Sequence, residues 1–396
     1  MINENQSTVN STKAYFGILL LGIVSLMGDV VYEGSRGIVP SYLNILGATG
    51  VIVGIVGGIG DFLGYAMRLV SGILADATRS YWFFVFLGYG LIVSIPLLGF
   101  SYSIEVAIVL VLLERFGKAV RSPARDTVLS IISKGVGAGK AFGIHELLDQ
   151  MGAIIGPLIV AAIMLFTSNN YNLTFFFLFL PFLMLIAALV YTYRKVGSKI
   201  IIEEKKTEDG KEKLGKPFYI YTFAVLLNTV GLIPYTLILF NASRILTTEQ
   251  QWIVPLIYVL IQGVDAPIAL VSGYAYDKFG IKILIIPFLL SLFPSILAML
   301  SSGLIMLLVA AIFFGMVLGM QESIYRAAVS QLAPISSRGT AYGIFNTAYG
   351  VGFLVSGAIF GLLIDFKISI IVVLFYVFVT QLVAVASLLK VRSKTE

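Results

Sequence analysis

The sequence predicts an all-α membrane protein, with twelve transmembrane helices arranged as two pseudo-symmetric six-helix bundles. Three observations carry this expectation. The 396 residues are 58% hydrophobic and only 12% charged, with a mean hydropathy of +0.97. A soluble domain has no use for that much apolar surface. Glycine-containing apolar stretches of roughly 20 residues or more, the length that crosses a bilayer, recur from end to end. The chain also repeats itself. GKAFGIHELLDQMGAIIGP at 139–157 returns as GTAYGIFNTAYGVGFLVSG at 339–357, an offset of 200, and SGILAD at 71–76 returns as SGYAYD at 272–277, an offset of 201. Two separate matches at nearly one offset indicate a repeated half.

The elements follow in order. Residues 1–12 are polar, and the apolar run from Ala14 is too long for the core of a signal peptide, so a first helix is expected at 14–40. Apolar runs then place helices at 48–75, 81–100, 104–128, 139–166 and 172–195. The insert SKIIIEEKKTEDGKEKLGK, 198–216, alternates charges that cannot offset the entropy of packing, so a linker is expected there. It separates an N-terminal bundle, 1–197, from a C-terminal bundle, 217–396. The second set of helices is expected at 216–241, 250–276, 281–299, 303–326, 338–365 and 368–391.

Cation placement sets the orientation. One set of loops collects Arg79, Arg121, Lys134, Lys140, Lys195, Lys278, Lys282, Arg338, the linker lysines, Arg392 and Lys394, whereas the other holds little beyond Arg244 and Lys367. Both termini are therefore expected in the cytoplasm, with the chain multi-pass in the cytoplasmic membrane. The net charge of +6 reflects those loops and calls for no nucleic acid.

Several classes are excluded. With no cysteine and one histidine there is no disulfide framework, thiolate metal site or cysteine nucleophile. No serine–histidine–acid set is present, and GVGAGKA at 135–141 lacks the ending of a phosphate loop. Neither an enzyme nor a cofactor or metal is expected. The expected partners are a small-molecule substrate, protons and the lipid bilayer, with the chain working as a monomer.

An ionisable side chain at the bilayer centre costs about 2.5–3.5 kcal/mol on insertion scales and by default marks function. The first half places Asp29, Glu33, Arg36, Asp61, Arg68, Glu114, Arg115, His145, Glu146 and Asp149 within helices; the second places only Asp265, Glu322 and Arg326 there. Asp29, Glu33 and Arg36 share one helical face, as do His145, Asp149, Gly152 and Gly156. Glu33 with Arg36 also fits a structural ion pair, and His145 also fits a hydrated residue near the cytoplasmic end. Asp29 has no cation one turn before it and is the stronger candidate for a proton carrier. Glu33, Asp61, Glu114, His145, Glu146 and Asp149 complete the candidate proton-coupling set. Gly152 and Gly156 permit close helix approach. Gly143 lies about 900° of helix away from Gly152, on the opposite face, so the segment is expected to sit between two neighbours and to bend at Pro157. Packing alone also accounts for these glycines.

The loop Gly273-Tyr-Ala-Tyr-Asp277-Lys278-Phe-Gly280-Ile-Lys282 resembles the GxxxD(R/K)xGR(R/K) loop of the major facilitator superfamily, and Gly72-Ile-Leu-Ala-Asp76-Ala-Thr-Arg79 resembles a degraded copy of it. The spacing Gly143-x8-Gly152-x3-Gly156-Pro157 resembles the motif of drug/proton antiporters in that superfamily, with Val160-Ala161 where the motif has two glycines. Arg115-Phe-Gly-Lys118-Ala-Val-Arg121-Ser-Pro123-Ala-Arg125-Asp126 resembles a subgroup of permeases. The resemblance implies a gating set, in which Asp76 and Asp277 lock the cytoplasmic side through Arg125 and Arg326, with Arg79 and Lys278 beside them. It also implies alternating access around a cavity between the halves. Arg36, Arg115, Asn228, Tyr235, Tyr258, Gln262, Asp265, Gln321, Glu322, Tyr325, Asn346 and Tyr349 are the residues expected to line it. Proton-coupled export of a small organic solute is the leading expectation. Proton-coupled uptake of a metabolite, with Arg36 or Arg115 clamping an anion, is the alternative.

Overall fold

The computed structural model describes residues 2–133, 136–197, 212–300 and 303–391. Lys134, most of the expected linker (198–211) and the tail cations Arg392 and Lys394 lie outside the described residues. Within them the chain is helical almost throughout, with no strand. The first half runs α1 (Ile2–Arg36), α2 (Val39–Ile45), α3 (Gly50–Thr78), α4 (Tyr81–Gly90), α5 (Ser94–Leu97), α6 (Ile104–Ile132), α7 (Ala138–Phe166), α8 (Tyr171–Phe177) and α9 (Phe179–Val196). The second half runs α10 (Lys216–Val230), α11 (Tyr235–Ile245), α12 (Val254–Phe279), α13 (Ile285–Leu290), α14 (Leu292–Leu300), α15 (Leu304–Met320), α16 (Arg326–Leu332), α17 (Arg338–Asp365) and α18 (Ile370–Leu388).

Among the described residues, ten stretches are long and apolar enough to cross a membrane. The difference from the expected twelve lies in two places. Thr248–Leu300 forms one apolar stretch in which α12, α13 and α14 follow one another without a long loop, and it contains two of the expected spans. The 29-residue α6 is too rich in charge to qualify, carrying Glu114, Arg115, Lys118, Arg121, Arg125 and Asp126.

Two compact units form, one from Met1–Ser35 with Met67–Lys206 and the other from Arg36–Ala66 with Thr207–Glu396. In the second unit, α3 and α17 approach backbone to backbone. A Cβ on Gly54 would overlap the Gly357 carbonyl, and one on Gly58 would stand 2.6 Å from Leu354 Cα. Glycines at i, i+4 and i+8 of α3 thus present a bare backbone ridge. At the end of that ridge Asp365 caps α3, accepting from Gly50 N at 2.7 Å and Val51 N at 2.8 Å. Carboxylate oxygens on two first-turn amides satisfy orphan donors and face the positive end of the helix dipole.

The break between α10 and α11 is the other feature that positions side chains. Pro234 cannot donate, and α10 ends at its cap residue Gly231, whose N–H makes the last regular bond, to Leu227 O at 3.1 Å. In a membrane each freed backbone group needs a partner. Ser295 supplies two bonds, donating to Gly231 O (3.0 Å) and accepting from Ile233 N (2.9 Å). Ser356 Oγ donates to Leu232 O, and Tyr376 OH donates to Val230 O at 2.7 Å. Neighbouring helices therefore stabilise the discontinuity at fixed geometry.

Candidate functional site

The first unit buries an ionic cluster built on four helices. On α6, Lys118, Arg121 and Arg125 fall at i, i+3 and i+7 and share one face. Arg125 bonds Asp126 Oδ1 through Nε (3.0 Å) and Nη2 (2.9 Å), and its Nη1 reaches Ser25 Oγ (3.0 Å) and Asp149 Oδ2 (3.4 Å). His145 Nδ1 stands 3.5 Å from the same Asp149 oxygen, one turn away on α7. Lys118 Nζ pairs with Glu33 at 3.4 Å and lies 4.6 Å from the centre of the Tyr32 ring. Arg121, only 2% exposed, is held between the rings of Tyr32 (4.8 Å) and Tyr89 (5.0 Å) and donates to Gly88 O at 3.4 Å. Tyr89 OH reaches Ser25 Oγ at 3.3 Å. Such stacking supports a desolvated guanidinium without neutralising it.

Asp29, 4% exposed, accepts from Tyr32 and lies within electrostatic reach of Asp149, Lys118 and Glu33. Its position comes from a helix crossing. A Cβ on Gly152 of α7 would stand 2.6 Å from Asp29 Cβ and 2.7 Å from Leu26 O, and one on Gly156 would stand 2.6 Å from Val30 O. Thus Gly152 and Gly156 make the close approach that brings α1 onto α7. Gly143 does not share in it. It is exposed, and a Cβ placed there would meet nothing within 4 Å among the described residues, which corrects the expectation of a helix held on both faces.

The same crossing recurs in the second unit at an offset of 200. A Cβ on Gly352 would meet Thr229 Cβ at 2.9 Å and Leu226 O at 3.3 Å. Thr229 therefore occupies the place of Asp29. Phe345 and Tyr349 replace His145 and Asp149, stacked at 5.9 Å between ring centres. Where the first unit has ions, the second has an aromatic recess of about 260 Å³, counting the space at its mouth, lined by Tyr65, Gln321, Glu322, Tyr325, Arg326, Phe345, Asn346 and Tyr349. Residues Gln321–Tyr325 form a π-helical turn between α15 and α16, a distortion frequent at functional sites. Tyr349 OH donates to Gln321 Oε1 at 2.8 Å, and the Tyr65 and Tyr349 rings meet edge-on at 5.2 Å. Asp61 and Glu322 lie within electrostatic reach of Tyr349.

The sequence-derived candidates separate accordingly. Asp29, Glu33, His145 and Asp149 come together in the first unit, while Glu146 is exposed. Glu33 pairs with Lys118, a partner that its own helix does not reveal. Glu114 and Arg115 are both buried and pair with each other at 3.7 Å. Arg125 bonds within the ionic cluster, and Asp76 accepts from Tyr81 OH at 2.7 Å. Arg79 adopts a left-handed φ of 52° just after α3, while Asp277 and Lys278 are exposed on the last turn of α12. In the second unit Gln321, Glu322, Tyr325, Arg326, Asn346 and Tyr349 line the recess. Asn228 instead is a fully buried brace, bonded to Ser291 (3.1 Å), Gln381 (2.8 Å) and Tyr325 OH (2.8 Å). Tyr235 packs on Tyr258 at 5.2 Å, and Tyr258, Gln262 and Asp265 are buried on α12. Ser25, Tyr32, Tyr89, Lys118 and Arg121 belong to the ionic cluster without standing out in the sequence, where Arg121 reads as a loop cation. The available signal is the i, i+3, i+7 spacing of the α6 cations, which no cytoplasmic loop requires.

Comparison with known proteins agrees with this architecture. The family model described as Major Facilitator Superfamily matches residues 18–357 and 218–395. An uncharacterized protein of Mycobacterium tuberculosis is 35% identical, covering 98% of this chain and 95% of the relative. An uncharacterized MFS-type transporter of Methanocaldococcus jannaschii is 27% identical over 93% of this chain and 92% of its own. The crystal structure of the nucleoside transporter NupG superposes with a TM-score of 0.71 at 15% identity, covering 95% of this chain and 100% of that one. That last likeness is one of fold.

Proposed function

Because the chain belongs to the major facilitator superfamily, and is thus a multi-pass secondary transporter of a small molecule, we propose that it couples proton movement to export of a small organic solute by alternating access. The observation that carries this reading is the placement of Asp29 at the crossing of α1 and α7. The twin crossing in the second unit is built with Thr229, so the fold does not need a carboxylate there. A buried charge retained without a packing role is a functional candidate.

The chemistry follows from the partners. Arg125 is shared by Asp126 and Asp149, and Asp149 is shared by Arg125 and His145. A proton accepted on Asp149 or Asp29 removes one negative charge from a cluster in which Lys118, Arg121 and Arg125 keep theirs. The cation excess then weakens the ion pairs holding α1, α6 and α7 together. His145, one turn from Asp149, can relay the proton. The second unit supplies the aromatic and amide surface for the solute. We further propose the six-plus-six division at the linker, a monomer, and placement in the cytoplasmic membrane with both termini cytoplasmic. The export direction is supported by the resemblance of the α7 glycines to drug/proton antiporters.

A second reading is proton-coupled uptake of a small anion. It is favoured by Arg121, whose buried charge has no carboxylate within ion-pair distance among the described residues. Proteoliposomes carrying an internal pH dye separate the outcomes. Solute-dependent proton movement is expected, opposite in direction to solute flux for export and parallel to it for uptake. Its absence under every gradient sinks the proposal. Asp29→Thr, which copies the second repeat, is expected to leave a folded protein that moves solute without protons. Undiminished pH-driven transport in that variant refutes the assignment of Asp29.

A further inference from the structure

We infer that Asp365 is a gating residue: its carboxylate holds the first turn of α3 against the end of α17, and its release favours opening at the membrane face opposite the cation-rich loops. This rests on the alternating-access reading, in which a helix of the first half and a helix of the second must part at one stage of the cycle.

The contact joins segments that the sequence assigns to different halves. The helix expected at 48–75 belongs to the N-terminal bundle by sequence, yet the boundary between the two compact units falls within α3, between Ala66 and Met67. Its first part packs with the second half of the chain. The approach is close along the whole of that part. Gly54 meets Gly357 backbone to backbone, and a Cβ on Gly50 would stand 2.9 Å from Asp365 Oδ1 and 3.3 Å from Gly361 O. At the same end Asn44 Nδ2 of α2 donates to Ser243 Oγ of α11 at 3.3 Å.

What distinguishes Asp365 is that it caps a helix other than its own. In the first turn of α3, Ile52 N reaches the hydroxyl of Thr49 at 3.4 Å. Gly50 N and Val51 N instead bond the two Asp365 oxygens, at 2.7 and 2.8 Å, across 315 and 314 residues of sequence. The repeat shows that the fold has another solution. The turn Thr248–Ile253 that leads into α12, the copy of α3, is capped within itself, since Thr247 and Gln250 form a reciprocal capping box. Leu165, 50% exposed, stands 200 residues before Asp365. The second copy of the pattern therefore has neither the distant acid nor the need for it. A local cap stays with its helix through any movement. A cap held on another helix is lost when the two part, and the freed amides pass to water at the membrane face. The free energy of the Asp365 cap thus enters the balance between joined and parted states, as a differential contact must to shift such an equilibrium.

The chain has no cysteine, so an introduced thiol reports without background. Thr236→Cys places one on α11 at a residue only 6% exposed, opposite Gly57 of α3, whose Cβ would stand 2.8 Å from Thr236 Oγ1. The full chain in detergent is treated with a charged methanethiosulfonate, and adduct formation is followed by mass spectrometry. Adding Asp365→Ala is expected to raise the labelling rate about tenfold, the value of a helix cap written as an equilibrium constant. Should that variant fail to fold, Asp365→Asn keeps one acceptor and is expected to raise the rate about threefold, half the effect in free energy. Gly54→Ala, whose Cβ would overlap the Gly357 carbonyl, forces the helices apart and supplies the rate of the opened face. Thr192→Cys, fully buried on α9, reports general loosening and should label no faster in the Asp365 variants. Labelling that Gly54→Ala accelerates and the Asp365 variants do not overturns the inference and leaves alternating access standing. Labelling that none of them accelerates overturns both. Equal acceleration at Thr192→Cys shows that Asp365 serves stability alone, which also overturns the inference. The proton-coupling reading is tested separately, by Asp29→Thr.

Discussion

Substituting alanine for single glycines along α7 and α17 tests the repeated crossing directly. In Gly152→Ala the new Cβ would stand 2.6 Å from Asp29 Cβ and 2.7 Å from Leu26 O. Ordinary carbon contacts are about 3.5–4.0 Å, so α1 and α7 must part by about 1 Å. Overpacking of this kind costs about 1–3 kcal/mol, against which alanine recovers about 0.5–1 kcal/mol of helix propensity. The expected net loss is about 1–2 kcal/mol, or a fall of about 1–2 °C in Tm for a chain of 396 residues. In Gly352→Ala the contacts are longer, Thr229 Cβ at 2.9 Å and Leu226 O at 3.3 Å, so the loss should be smaller. In Gly143→Ala nothing lies within 4 Å, and the change should raise Tm slightly. Thermal unfolding in detergent, followed by the fluorescence of Trp82 and Trp252, ranks the three. A Gly143→Ala protein destabilised as much as Gly152→Ala, or a neutral Gly152→Ala, would show that the glycines do not divide into contact and bystander as described. Uncoupled transport in a still-folded Gly152→Ala would further tie the crossing to Asp29.

Two further outcomes are expected on stability. Asn228→Ala leaves Gln381 Oε1 and Tyr325 OH buried without their partner, at about 1–3 kcal/mol for each group. It should abolish folded protein or lower Tm more than any glycine variant, and Tyr325→Phe in the same chain should recover part of the loss. Asp365→Ala removes both bonds to the first turn of α3, a loss of about 1–2 kcal/mol by the measure of helix caps. Asp365→Asn keeps one acceptor and should lose less; equal Tm values for the two variants would show that the cap contributes nothing.

Much of the plan of this protein is legible in the chain. Hydropathy marks nearly every span because lipid demands an apolar exterior, and the glycine repeat marks the halves, with Gly152 and Gly352 standing where two helices approach too closely for a larger residue. Asp29, Asp149 and His145 are legible as intramembrane charges for the same reason. Elsewhere burial reverses the usual meaning of a residue. Arg121 reads as a loop cation, yet two tyrosine rings from different helices support it within α6. Asn228 reads as a cavity amide, yet it braces three helices from a site without solvent. Charge also hides α6 from any apolar-span criterion, although Lys118 and Arg125 pair with carboxylates inside the unit.

The sequence by itself determined the class, the duplication and the imbalance of charge, since these follow from composition, period and count. Only the tertiary structure decided which residues share a site. Gly152 meets Asp29 and Gly352 meets Thr229, pairs separated by more than a hundred residues, because two helix crossings of equal geometry were filled with different side chains. One backbone arrangement thus holds an ionic cluster in one unit and an aromatic recess in the other. Side-chain identity is written in the chain, but the neighbours that decide what a buried carboxylate or amide can do exist only once helices distant in sequence are packed.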